Sequence, residues 1–151
     1  MKRLFLILPL LLLAAIPAAA DEHSDVEYLL MPGMEGMDLP FSSAVRVGNL
    51  LFLSGQLGIA PGTSKLVEGG IQGETRQTLD NIKRVVEQFG SSMDKVVKCT
   101  VFLADIAEWG AMNEVYVTYF PVNPPARSAL GSSGLAMNSR VEIECFAAMR
   151  D

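Results

Sequence analysis

The run Val96–Leu103 is rich in β-branched residues and free of breakers, as a central strand would be, and segments of helical periodicity lie on both sides of it. Upstream, residues 71–89 place Thr75, Leu79, Ile82, Val85, Val86 and Phe89 on one helical face, with Gly90 at the position that ends a helix. Downstream, Ile106, Trp109, Met112, Tyr116 and Phe120 recur at helical spacing until Pro121 stops the run. The second helix therefore crosses back to the sheet that the strand belongs to.

The remaining patterns are strands. Ala44–Val47 and residues 50–55 flank Gly48-Asn49, a pair expected to supply positive φ for a tight hairpin. Pro61-Gly62-Thr63-Ser64 marks a loop, and residues 127–131 and 140–149 supply two further strands. The order is strand pair, helix, strand, helix, strand pair, which is an α+β fold: a mixed β-sheet with two helices on one face. Two helices cover only one side, so the other must be polar or find a partner. No internal repeat or low-complexity segment is visible.

The first twenty residues read differently. Lys2 and Arg3 precede an apolar run over 4–16, then Pro17 and Ala18-Ala19-Ala20, the order of a secretory signal peptide cleaved after Ala20. The run is shorter than the ~20 apolar residues of a membrane span. The expected organisation is a signal peptide at 1–20, an N-terminal arm at 21–38 with one short strand near 26–30, and a single domain at 39–151. A periplasmic or secreted location follows, with no membrane attachment after cleavage.

Removing twenty of 151 residues leaves 131, enough for one core and too few for two. The side chains carry 12 basic and 17 acidic groups; without Lys2 and Arg3 the balance is ten against seventeen, a net charge of −7. That charge opposes binding to nucleic acid or to an anionic membrane, and a small anionic ligand would need a local arginine. Cys99 and Cys145 allow one bridge, which an exported protein could keep. Both lie in apolar strand patterns, however, and the expectation is a pair of buried free thiols.

Chemistry concentrates near the C-terminus. Arg127 follows Pro124-Pro125-Ala126, a short stem with restricted φ, and its planar guanidinium matches a carboxylate with two parallel hydrogen bonds. Glu142 and Glu144 lie in the apolar strand Val141–Ala148 and, two apart, point to the same face. Carboxylates among Val, Ile, Cys and Phe need a partner or a task, and such a glutamate can position and deprotonate a water.

These residues sit in a series of blocks: Pro40-Phe41-Ser42-Ser43-Ala44-Val45, Leu51-Phe52-Leu53-Ser54-Gly55-Gln56, Thr75-Arg76-Gln77-Thr78-Leu79-Asp80-Asn81, Val96–Leu103, Met112-Asn113-Glu114-Val115-Tyr116, Pro125-Ala126-Arg127-Ser128 and Val141-Glu142-Ile143-Glu144. In that order they resemble the RidA (YjgF/YER057c/UK114) family, over about 39–148. The resemblance implies a chorismate mutase-like, YjgF-like fold. It also implies a homotrimer packed around a barrel-like axis with ligand sites between subunits, and hydrolysis of 2-imino acids to 2-keto acids and ammonia.

Carried over residue by residue, the resemblance gives Arg127 and the Ala129 N–H the substrate carboxylate. Glu142 and the Gly55 carbonyl receive the attacking water, with Glu144 the alternative if the register slips by two. Ser54 falls beside the pocket, though a strand-end hydroxyl often satisfies a neighbouring backbone group instead. Asn113 is a poor helix former inside a helix, which points to a task across an interface or a structural hydrogen bond. Two positions depart: many members have tyrosine at Phe41 and cysteine at Ala129. Losing the phenol removes a donor from the pocket wall and bears on rate and substrate choice, whereas a backbone N–H survives the loss of a thiol.

Imines hydrolyse readily, so orientation and one base suffice, and neither metal nor cofactor is implied. The expected partner is a small 2-imino acid or another small carboxylate, with a non-catalytic carboxylate-binding or holdase-type trimer as the alternative. An older family label, ribonuclease, sits poorly with the negative charge. Met31, Met34 and Met37, with His23 upstream, also have the composition of a Cu(I)-binding arm. The intervening glycines and proline suit a flexible arm whose methionines fill gaps.

Overall fold

The structure, a computed structural model, describes residues 26–149. The signal peptide, its cleavage after Ala20 and His23 lie outside the described residues. Strands β1 (Val26–Leu29), β2 (Ala44–Val47), β3 (Leu50–Leu53), β4 (Gln56–Leu57), β5 (Val96–Leu103), β6 (Ala126–Gly131) and β7 (Val141–Ala148) form one sheet, ordered β1-β2-β3-β7-β5-β6 with β4 on β7. All pairs are antiparallel except β5 and β6, which run parallel because helix α2 (Trp109–Tyr119) crosses over between them. With α1 (Gly70–Gln88) the architecture is the expected α+β sheet and helix layer. The short β4 had no periodic signal at two residues.

Side-chain alternation divides the sheet. Leu51, Leu53, Val101, Leu103, Val141, Ile143 and Ala147 are buried with Leu79, Ile82, Val86 and Met112 of the helices in one core. Phe52 and Phe146 face the other way, half-buried, their ring centroids 4.8 Å apart. Helix α1 ends as the sequence predicts: the Gly90 and Ser91 N–H groups donate to the carbonyls of Glu87 and Val86 at 3.3 and 2.7 Å. Helix α2 is tied to α1 by the Tyr119 hydroxyl, which donates to Asp80 Oδ1 at 2.8 Å, and by Gln72 Nε2 donating to Glu114 Oε2 at 2.7 Å.

Two expectations need correction. Cys99 and Cys145 are not free thiols but a disulfide. The β5/β7 register sets them directly opposite on the core side, which brings the two side chains close enough to bridge. In the hairpin only Gly48 has positive φ, at 54°; Asn49 does not share it.

The methionine spacing of the arm is turn geometry. Met34 N–H donates to Met31 C=O and Met37 N–H to Met34 C=O, at 3.1 and 3.2 Å, with Gly33 and Gly36 at φ 87° and 80° as the third residue of each turn. Met31 packs on the core, Met34 Sδ accepts from the Ser43 hydroxyl at 3.5 Å, and Met37 is exposed.

Candidate functional site

The predicted site residues gather in two groups, and the sheet separates them. Arg127 pairs with Cys99 across β5/β6, and Cys99 lies in the core, so the Arg127 side chain leaves the sheet on the helix side. There α2 receives it. The guanidinium carbon is 4.5 Å from the Tyr116 ring centroid and 5.5 Å from that of Trp109, and Nη1 donates to Asn113 Oδ1 at 2.9 Å. Trp109, Asn113 and Tyr116 are spaced i, i+4 and i+7, one face of the helix. Two rings and an amide thus hold the cation in a fixed orientation, leaving the guanidinium's remaining N–H groups for an anion.

Tyr116 supports this cage from below. It is buried, and burial pushes its hydroxyl up to about 12, against the opposing pull of Arg127. The phenol therefore stays neutral beside the guanidinium. Strand β6 is an edge of the sheet. The Ser132 N–H just beyond it donates to the Leu103 carbonyl at 2.8 Å, so alternation along the strand aims the Ala129 N–H outward, two residues beyond Arg127.

The second group lies on the face away from the helices. Val141, Ile143 and Cys145 point into the core, so Glu142 and Glu144 point out, as expected of a shared face. The carboxylate of Glu142 rests against Gly55: a Cβ on that glycine would stand 2.9 Å from Glu142 Cδ and collide with Oε1. Burial raises the Glu142 pKa above the ordinary glutamate value, and the Glu144 charge raises it further. Ser54 Oγ donates to the Ser42 carbonyl at 2.6 Å, so this hydroxyl's proton is engaged with backbone. Phe41, 53% exposed, lines a cavity of about 480 Å³ together with Ser42, whose carbonyl accepts the Ser54 hydroxyl.

The fold therefore brings Arg127 together with Asn113, and Glu142 with Gly55 and, through backbone, Ser54. It does not bring Arg127 to Glu142 within one chain. In the sequence Trp109 and Tyr116 are only apolar positions of a helical face, and their spacing from Asn113 is the signal that they share its task.

The sequence pattern of the endoribonuclease L-PSP family matches residues 37–149. The chain is 41% identical over 110 residues to the chloroplastic Reactive Intermediate Deaminase A of Arabidopsis thaliana, covering 73% of this chain and 59% of that protein. It is also 41% identical over 116 residues to the human 2-iminobutanoate/2-iminopropanoate deaminase, covering 77% of this chain and 82% of the other. Among solved structures, a protein of the conserved Rid family from Yersinia pestis superposes with a TM-score of 0.76 at 36% identity, covering 83% of this chain and all of its own. Sequence blocks and these likenesses agree: the chain belongs to the endoribonuclease L-PSP family, the YjgF/RidA proteins.

Proposed function

We propose that the protein hydrolyses 2-imino acids to 2-keto acids and ammonia, at a site completed by a neighbouring copy in a homotrimer. The observation that carries this reading is the separation of a caged arginine from a glutamate of raised pKa by the thickness of one sheet. Neither group alone can both hold and hydrolyse a substrate. The open face and the two sheet edges, β1 and β6, are where another copy would pack. Two of the relatives named above are called deaminases, one of them for 2-imino acids.

In this reading Arg127 grips the substrate carboxylate with two N–H groups, and the Ala129 N–H adds a third donor. Asn113, Trp109 and Tyr116 fix the guanidinium plane, and so the position of the imine carbon. From the adjoining copy, Glu142 accepts a proton from a water that the Gly55 carbonyl also holds. The oxygen bonds to the imine carbon as the C=N π pair moves to nitrogen, which takes that proton from Glu142 to give a carbinolamine. Glu142 then removes the hydroxyl proton and passes it to the same nitrogen; the C–N bond breaks, ammonia leaves with the second proton and the C=O bond forms, with no redox change. Burial, and after it the Glu144 charge, raise the Glu142 pKa and so make it a stronger base than an ordinary glutamate. The negative charge of the chain and the paired glutamates at the site disfavour a nucleic-acid substrate.

Glu142→Gln tests the base. It keeps the shape and loses the acceptor, and it is expected to lower the rate by roughly 10²–10⁴-fold at unchanged oligomeric state. In the wild type the base is lost as pH falls through its raised pKa, so activity should decline at a pH above the ordinary glutamate value of about 4.3. A rate that tracks an unshifted carboxylate, or a fully active Glu142→Gln, would remove Glu142 from the chemistry. Gly55→Ala gives a milder check. The added methyl meets first the Glu142 carboxylate, the end of a side chain that can swing aside, so the melting temperature should change little while turnover falls.

Export is part of the proposal. The Cys99–Cys145 bridge suits an oxidising compartment such as the periplasm or the exterior. Mass spectrometry of the protein from the cell envelope should find its N-terminus at Asp21.

A further inference from the structure

The cavity lined by Phe41 and Ser42, which the Ser42–Ser54 hydrogen bond joins to the Glu142 cluster, is larger and more apolar than a two- or three-carbon substrate requires. Its wall is built by Tyr28 and Val45, paired across β1/β2, and by Leu30, Met37, Leu39 and Phe41 of the connection between those strands. The successive turns Met31–Met34 and Met34–Met37 bring Met37 and Leu39 round to it. No charged side chain lines it, and at about 480 Å³ it falls within the range of small-molecule sites.

Its position ties it to the chemistry. Ser42 lines the cavity, and its carbonyl accepts the Ser54 hydroxyl at 2.6 Å; the next residue, Gly55, carries the Glu142 carboxylate against it. The Ser54 N–H also donates to Ser43 at 3.2 Å, so the cavity wall and the Glu142 cluster are fixed to one another. A substrate whose imine carbon lies at Glu142 has its carboxylate directed to Arg127 of the neighbouring copy. The side chain is then the group left to enter the cavity.

We propose that this cavity is the side-chain subsite, and that the protein prefers 2-imino acids with long or branched apolar side chains over 2-iminopropanoate. The proposal rests on the imine-hydrolysis reading and names its substrate class. A methyl group leaves the cavity nearly empty, whereas isobutyl, thioether or benzyl groups cover its apolar wall. Each added methylene removed from water contributes a factor of about four. With partial filling, kcat/KM should rise at least about tenfold from the alanine-derived to the leucine-derived imine. A hydroxymethyl side chain adds no apolar surface to bury against the wall and should gain nothing over methyl.

The test is a panel of imines generated in situ by an amino acid oxidase from alanine, serine, leucine, methionine and phenylalanine, with full-length mature protein. Alongside it, thermal stabilisation by pyruvate is compared with stabilisation by 4-methyl-2-oxopentanoate. Expected are a leucine-to-alanine ratio of ten or more and greater stabilisation by the longer oxo acid. In Leu30→Trp, which fills the cavity from its exposed rim, both preferences should collapse toward unity. Turnover with equal or greater kcat/KM for the alanine imine would overturn the subsite and leave the hydrolase reading standing. No turnover of any imine, with the longer oxo acid still preferred, would overturn the hydrolase reading and leave the subsite. A Leu30→Trp protein with an unchanged ratio but altered assembly would assign the cavity to subunit packing and refute the proposal.

Discussion

Arg127→Lys is expected to reduce imine hydrolysis by roughly 10²-fold or more while the protein keeps its fold and melting temperature. Lysine preserves the charge but offers a compact ammonium on a flexible stem. It cannot lie flat between the Trp109 and Tyr116 rings, donate to Asn113 Oδ1 and present two parallel N–H groups at once. The carboxylate would still be attracted, so KM should rise less than kcat falls: the loss is of orientation. Because Arg127 is only partly buried on an edge strand, the substitution costs little stability. A lysine variant with wild-type turnover would show that charge alone suffices and that the aromatic cage has no role in catalysis.

Removing the disulfide should have the largest effect on stability. The bridge closes a loop with a sequence separation of 46, for which the chain-entropy estimate is about 4 kcal/mol. It joins β5 to β7 in the middle of the sheet, with both residues fully buried. Replacing both cysteines by alanine should therefore lower unfolding free energy by about 2–5 kcal/mol in denaturant titration. Cys99 also pairs with Arg127 across β5/β6, so a loosened centre would reach the site. A change below about 1 kcal/mol would mean that core packing alone holds the two strands in register.

Much of this was legible in the sequence because strong periodicities specify elements. Val96–Leu103, the α1 face from Thr75 to Val86 and the Gly90 cap all lie where their patterns put them. What the sequence withheld is register. Whether Cys99 faces Cys145 depends on how β5 and β7 slide against one another, and a shift of one residue would have turned the pair to opposite faces. The division of the site had the same origin: Arg127 and Glu142 belong to different strands, and only strand pairing shows that one side chain leaves toward α2 and the other away from it. The cage was hidden for another reason. Trp109 and Tyr116 satisfy a helical apolar pattern equally well as core residues, and their stacking on a cation appears only when α2 is docked beside β6.

The central claim, that one copy supplies the arginine and the next the glutamate, can be tested by complementation. Arg127→Lys and Glu142→Gln, each inactive alone, are mixed in equal amounts, dissociated and refolded together with the disulfide intact. In a cyclic trimer assembled at random, roughly one site in four joins an intact arginine to an intact glutamate, so about a quarter of wild-type activity should return. A mixture as inactive as its two components, with mixed trimers verified by native mass spectrometry, would contradict the shared site.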